Sequence, residues 1–317
     1  MPEQTARFAA YPDAEAFKHK LASDGREAVA HMLMLPDLGI AGFIYPSFHA
    51  EGMGKARAKL FGPGLEVPIE EEVDAAYPAD MDFDDFRLGP LHMAIREPHK
   101  TVDLAWKGER LQFDGRYTAL HPPYAFSQHP DGVPPYYGVD RTEQHGRIAA
   151  DMVIDGRPVR HEGFMAHDHS WGPRVWGLNQ HYKWIHLITA NTSVHFFEMQ
   201  SFGRVHVCGY LWKDGAMRHL ARVDYDIVYD ETMWQKEFDV RATDTDGRTV
   251  VVRCKTFAKT QLGWTPGVYL NEAAVTLEMD GQTGTGWVEF CWNRDYFDFA
   301  SQHVTRFGAS ASRTVTA

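Results

Sequence analysis

The sequence predicts a mostly β protein built as two halves of comparable size. Short runs of β-branched and aromatic residues recur along the chain, and few segments show the 3.6-residue apolar period of a helix. Asp155-Gly156, Asp214-Gly215, Asp246-Gly247 and Asp280-Gly281 punctuate these runs. Asp-Gly tolerates the positive φ of two-residue hairpins, so the runs on either side of each pair are expected to lie antiparallel.

In the first half the expected strands are residues 88–95, 101–107, 111–119, 147–154 and 159–166. In the second they are 182–190, 193–201, 205–212, 217–229, 237–243, 248–257, 269–279 and 284–291. Between the halves, Gly172-Pro173 ends a run that continues through Trp171, which sets domains at 1–174 and 175–308. Sheets of this size close or stack to remove their edges, giving two antiparallel barrels or sandwiches packed side by side. Residues 62–86 carry nine acidic side chains and no Lys or Arg, and Pro63, Pro68 and Pro78 interrupt any regular element. An acidic surface loop is expected there. Residues 309–317 are small and polar and are expected to fray.

Composition narrows the function. A net charge of −11 without clustered Lys or Arg argues against a nucleic-acid partner. Cys208, Cys254 and Cys291 are far apart and form no Cys-x-x-Cys pair, which fits a reduced, cytoplasmic setting. No apolar stretch approaches the roughly 18 residues of a spanning helix and no secretory signal is evident, so integral membrane association is not expected. The phosphate loop, the dinucleotide fingerprint and the Gly-x-Ser-x-Gly elbow are missing from the sequence, and no cofactor is expected. The 41 aromatic residues (9 Trp, 13 Tyr, 19 Phe) suit deep β cores or an aromatic-lined pocket.

The densest chemistry lies at residues 163–176, Gly-Phe-Met-Ala-His-Asp-His-Ser-Trp-Gly-Pro-Arg-Val-Trp. As a strand through Trp171, it places His167, His169 and Trp171 on one face and Asp168 and Ser170 on the other. This segment, together with Glu143-Gln144-His145-Gly146-Arg147, Ile154-Asp155-Gly156 and Glu162-Gly163, resembles the AttH-like proteins related to carotenoid 1,2-hydratases. That superfamily also includes kievitone hydratase and fungal decalin-forming Diels–Alderases. The resemblance implies a fold of two lipocalin-like β-barrels. It further implies a pocket in which a His-x-Trp pair and a later Tyr-x-Asp pair gather, the carboxyl protonating an alkene. His169 and Trp171 match the first pair, and Phe196-Phe197-Glu198 stands near the place of the second, with Phe for Tyr and Glu for Asp. Gly286-Trp287-Val288-Glu289 matches near the end.

Alkene hydration needs an acid still protonated near neutral pH, a cation stabiliser and a positioned water. A carboxyl buried among apolar groups meets the first need, and Glu198, on one face with Val194 and Phe196, or Asp168 is the expected proton donor. His169 is expected to position water or relay a proton, and Arg174 to fix a polar substrate group. Trp171, Trp176, Phe196 and Trp287 are expected to line the cavity, with Glu289 beside Trp287. Each residue also has a plain structural reading. Asp168 can be bracketed by Arg174, Glu198 can sit in a salt bridge, and the indoles can be packing. His167-x-His169 has a ligand spacing that His195 or Glu198 could complete. No carboxylate follows four or five residues later, however, so no metal site is expected.

The expected function is a cofactor-free acid–base enzyme: a hydratase or lyase, isomerase or cyclase. Its substrate would be a small hydrophobic, terpenoid or aromatic molecule held near the barrel junction. The alternative is a non-catalytic lipocalin-like binding protein for a hydrophobic small molecule.

Overall fold

The computed structural model describes residues 8, 10–263, 265, 267–308 and 310–316. The chain divides into two compact units between Arg174 and Val175, the first being Ala10–Arg174. Each unit is built on one antiparallel sheet curled into a closed or nearly closed barrel.

The first barrel uses β1 (Arg26–Leu35), β2 (Ile40–His49), β3 (Met53–Phe61), β4 (Ile69–Ala76), β5 (Phe86–Leu88), β6 (Leu91–Glu97), β7 (Thr101–Lys107), β8 (Leu111–Ala119), β9 (Tyr124–Ala125), β10 (Asp140–Ile154) and β11 (Arg157–Gly172). Their order is β4-β3-β2-β1-β11-β10-β8-β7-β6-β5, with β9 on β10. Leu33, Ile44, Leu60, Trp106, Phe113 and Met165 meet inside. Each such side chain contributes about 1.5–3 kcal/mol through burial.

The second uses β12 (His181–Ile188), β13 (Ser193–Ser201), β14 (Arg204–Lys213), β15 (Ala216–Tyr229), β16 (Gln235–Asp244), β17 (Thr249–Leu262), β18 (Val268–Met279), β19 (Gln282–Asn293) and β20 (Ser310–Thr316). Pairing of β14 with β15 closes the ring. The helix α1 (Arg294–Ala300) follows β19, its start capped by the Asn293 side chain, which accepts from the Tyr296 amide. Phe196, Val240, Val252, Val288 and Phe290 fill this barrel.

The Asp-Gly hairpins form as the sequence implies. Asp155-Gly156, Asp214-Gly215 and Asp280-Gly281 have positive φ at both residues and join β10 to β11, β14 to β15 and β18 to β19.

Three expectations are corrected. First, strands begin at Arg26 rather than near residue 88. In β1, Arg-Glu-Ala-Val-Ala-His-Met-Leu-Met-Leu, both faces are buried, so the polar alternation that marks a strand is missing. Second, the acidic stretch contains β4, whose residues alternate sides. Ile69, Val73 and Ala75 turn inward, while Glu70, Glu72 and Asp74 pair with Lys59, Arg57 and Lys55 of β3. Surface pairs of this kind give about 0.2–1 kcal/mol each, so the buried Ile69 outweighs any one of them in holding the strand. Third, Ser310–Thr316 does not fray but pairs with β15, from Arg222↔Thr316 to Val228↔Ser310; Ala309 and Ala317 lie outside the described residues.

Candidate active site

β11 organises the first barrel's polar centre. Its register sets His167 opposite His31 of β1 and Gln144 of β10, and His169 opposite Val29 and Thr142. Period-two alternation sends His167, His169 and Trp171 to the side of Met165, which belongs to the barrel core, and Asp168 to the other side.

Four side chains form a chain of carboxylates and imidazoles. Glu27, fully buried on β1, holds Oε1 2.7 Å from His169 Nε2 and 2.7 Å from His19 Nδ1. His19 Nε2 in turn lies 3.0 Å from Glu15 Oε2. The His19 ring stacks on Trp171 with centroids 3.6 Å apart, and Phe83 meets the His169 ring edge-on at 5.6 Å. Burial pushes the Glu27 carboxyl up, but the hydrogen bonds of His169 and His19 outweigh it and bring Glu27 below its ordinary value. For His19, burial lowers the imidazole, and the bonds and charges of Glu27 and Glu15 reverse this and raise it.

A cavity of about 20 Å3 adjoins this chain, enough for one water molecule. His99, Lys100, Tyr117, Thr142, Gln144, His167 and His169 supply its polar lining, and Ile95 and Val102 part of its apolar wall. His167 Nδ1 lies 3.0 Å from the Ala30 carbonyl, which makes Nδ1 the protonated nitrogen and leaves the Nε2 lone pair. Burial pushes this imidazole down to about 3, so it is neutral at neutral pH. Gln144 donates to the His99 and His121 carbonyls at 2.7 Å each and accepts from the Tyr117 hydroxyl. Gly146 leaves room for that tyrosine: a Cβ there would stand 2.2 Å from the Tyr117 ring.

The remaining expected residues are distributed differently. Asp168 is buried on the opposite face of β11 from His169 and pairs with Arg141 at 3.0 Å, not with Arg174. Arg141 stands on the neighbouring strand β10 and also holds Glu143, whereas Arg174 lies beyond the end of β11. Burial raises the Asp168 carboxyl, against the opposing charge of Arg141. Arg174 donates to the Tyr137 carbonyl at 3.2 Å and lies 4.2 Å over the Tyr137 ring.

Trp176, Phe196, Glu198, Trp287 and Glu289 belong to the second unit. Phe196 and Glu198 share the inner face of β13, as alternation implies. The raised carboxyl expected of Glu198 is corrected. Burial acts in that direction, but Lys183 at 3.4 Å, Tyr225 at 2.7 Å, Gln200 at 2.8 Å and Arg313 at 3.1 Å together hold it below its ordinary value. Trp287 and Glu289 face away from that core. The Trp287 indole donates to Glu272 at 2.7 Å, and the Tyr182 hydroxyl donates to Glu289. Trp176 lies in a short 3-10 turn, 6.5 Å from the Tyr182 ring. His195 and Glu198, considered as further ligands beside His167 and His169, point to opposite faces of β13.

Glu15, His19, Glu27, Tyr117 and Gln144 were not expected at the site. Glu27 and His31 carried a signal: they alternate with Val29, Leu33 and Leu35 along one strand face, and an acid and an imidazole on such a face ask for partners. Glu15 and His19 precede the sheet and carried none.

The family model for DUF7064, described as a domain of unknown function, matches residues 12–294. The chain belongs to the DUF7064 family. No curated protein matches this DUF7064 chain. Among solved structures, a protein assigned as AttH from Nitrosomonas europaea shares the fold at TM-score 0.60 and 14% identity, over 92% of this chain and 98% of that one. Kievitone hydratase from Nectria haematococca is similar at TM-score 0.59 and 8% identity, over 92% and 97%. CghA, solved with Sch210972, is similar at TM-score 0.60 and 11% identity, over 84% and 88%. The DUF7064 chain thus shares the fold of these solved structures, in agreement with the two barrels expected from the Asp168–Arg174 motif.

Proposed function

We propose that this protein is an acid–base enzyme of the hydratase or lyase type, acting on a small hydrophobic molecule, with its centre inside the first barrel. The observation that carries the reading is the buried Glu27–His169 pair, 2.7 Å apart, beside a cavity with room for one water. A buried carboxylate hydrogen-bonded to an imidazole fixes its tautomer and stabilises the imidazolium that forms on proton transfer. With Nε2–H directed at Glu27, His169 Nδ1 is the nitrogen left to take a proton from water. His167, neutral and bonded at Nδ1, offers a second acceptor at Nε2. The Tyr117 hydroxyl, which donates to Gln144, lines the same cavity. Polar groups on the cavity wall favour turnover over simple carriage of an apolar ligand, for which an apolar wall suffices. The name of kievitone hydratase, a protein of the same fold, supports hydration as the reaction class.

A substrate larger than water needs part of the cavity wall, to which Ala16, Ile95 and Pro123 contribute, to shift. The test begins with mass spectrometry of small molecules retained by the purified protein. Turnover of the retained molecule in heavy-oxygen water follows, with incorporation of the label expected. His169→Ala is expected to lower the rate about 10²–10⁴-fold. Wild-type turnover in both His169→Ala and Glu27→Gln would overturn the assignment. The same assay on Asp168→Asn and Glu198→Gln tests the two carboxyls that the sequence nominates as proton donors.

A further inference from the structure

Sequence spacing points away from a metal, because no carboxylate follows His169 at a ligand distance along the chain. The tertiary structure supplies one from another strand. His19 Nδ1, Glu27 Oε1 and His169 Nε2 all lie within 4.8 Å of one another, and the carboxylate oxygen sits 2.7 Å from each nitrogen. We propose that these three atoms form a binding site for one divalent transition-metal ion of the zinc class. The inference stands on the cluster's geometry and concerns a separate, metal-loaded state, in which the ion replaces the Nε2–H bond to Glu27 that the acid–base reading uses.

Two imidazole nitrogens and one carboxylate oxygen are a donor set that zinc takes with three protein ligands and one open position. Calcium and magnesium prefer an all-oxygen shell, which this cluster does not offer. Bonds of about 2.0–2.2 Å in tetrahedral geometry put neighbouring donors roughly 3.3 Å apart. Each nitrogen therefore needs to retreat from Oε1 by only about 0.6 Å.

The surroundings match a ligand site as well. Imidazole ligands of metals commonly give their other N–H to a carboxylate, and Glu15 Oε2 stands 3.0 Å from His19 Nε2 in that position. Trp171 fixes the plane of the His19 ring by stacking at 3.6 Å, and Phe83 packs against His169. His19 and Glu15 keep 16% and 35% of their side-chain surface exposed, which opens an entry path to the fully buried Glu27. His167 is not part of the set, since its Nδ1 is engaged by Ala30.

The test uses the full chain, stripped with a chelator and dialysed, then titrated calorimetrically with zinc chloride and, separately, with cobalt chloride under visible absorption. One zinc per chain and the intense bands of four-coordinate cobalt are expected. His19→Ala and Glu27→Gln should each weaken zinc binding at least 100-fold while the β circular-dichroism spectrum is kept. Glu15→Gln, which touches only the outer nitrogen of His19, should weaken it about 10–100-fold. This variant keeps the test decisive should a ligand variant unfold. A wild-type chain that takes up no zinc, or wild-type affinity in Glu15→Gln or His19→Ala, overturns the site. Turnover by the stripped protein together with failed zinc binding would remove this inference and leave the acid–base reading standing.

Discussion

Glu27 accepts a hydrogen bond from His169 Nε2 at 2.7 Å across the β1–β11 pair, joining residues 142 positions apart in the chain. The two are diagonal rather than directly opposed, because Glu27 faces Trp171 in the register and His169 faces Val29. A long acid arm spans that diagonal.

Replacing Glu27 by Gln keeps the shape and removes the charge. Charge-assisted hydrogen bonds to His169 and His19 are lost, and a stability loss of about 1.5–3 kcal/mol is expected, read from urea unfolding. A variant as stable as the parent would show that the two imidazoles do not depend on the charge.

Stability should fall on the acid side of neutrality. His167 and His121, pushed down by burial to about 3 and about 4, stay neutral in the fold, while the unfolded chain protonates them below about 6.5. The unfolded state then binds more protons, so stability drops by about 1.4 kcal/mol per pH unit for each group between its unfolded and folded values. Glu27, lowered in the fold, adds a loss below about 4.3. His19, raised in the fold, acts oppositely: its contribution is complete below about 6.5 and disappears as pH rises through its folded value. His167→Asn, which retains a donor for the Ala30 carbonyl, should flatten the slope between pH 4 and 6 by about one proton. An unchanged slope in urea titrations across that range would refute the assignment.

Arg141 holds two buried carboxylates, Glu143 and Asp168, on the outer side of the first barrel. Arg141→Met removes the guanidinium that both carboxylates share and should cost about 3–5 kcal/mol, the usual loss when one partner of a buried ion pair is removed. Asp168→Asn leaves Arg141 with Glu143 and should cost clearly less. Equal losses in denaturant unfolding would show that Glu143 does not share the guanidinium.

Glu198 anchors a similar cluster inside the second barrel. Glu198→Gln leaves Lys183, almost wholly buried and already lowered by burial, without its counter-charge. A stability loss of about 3–5 kcal/mol is expected, with the β circular-dichroism spectrum preserved below the transition. A loss under about 1 kcal/mol would mean that solvent reaches the Lys183 amine.

Local chemistry settled much of this molecule. Asp-Gly pairs placed the hairpins because only a few residue types tolerate their backbone, and period-two alternation placed His167, His169 and Trp171 on one side of β11 and Asp168 on the other. The motif around Asp168-His169-Ser170-Trp171 pointed to the two-barrel fold. Alternation fails as a signal where both faces of a strand are covered, which is why β1, the strand that carries Glu27, was hidden. Partner choice was decided only in three dimensions. Which acid meets His169, and whether Asp168 takes Arg141 or Arg174, depend on strand order and register between distant segments. The charge state of Glu198 follows the same rule, since Lys183, Tyr225 and Arg313 reach it from three other strands and reverse what its apolar neighbours in sequence would do.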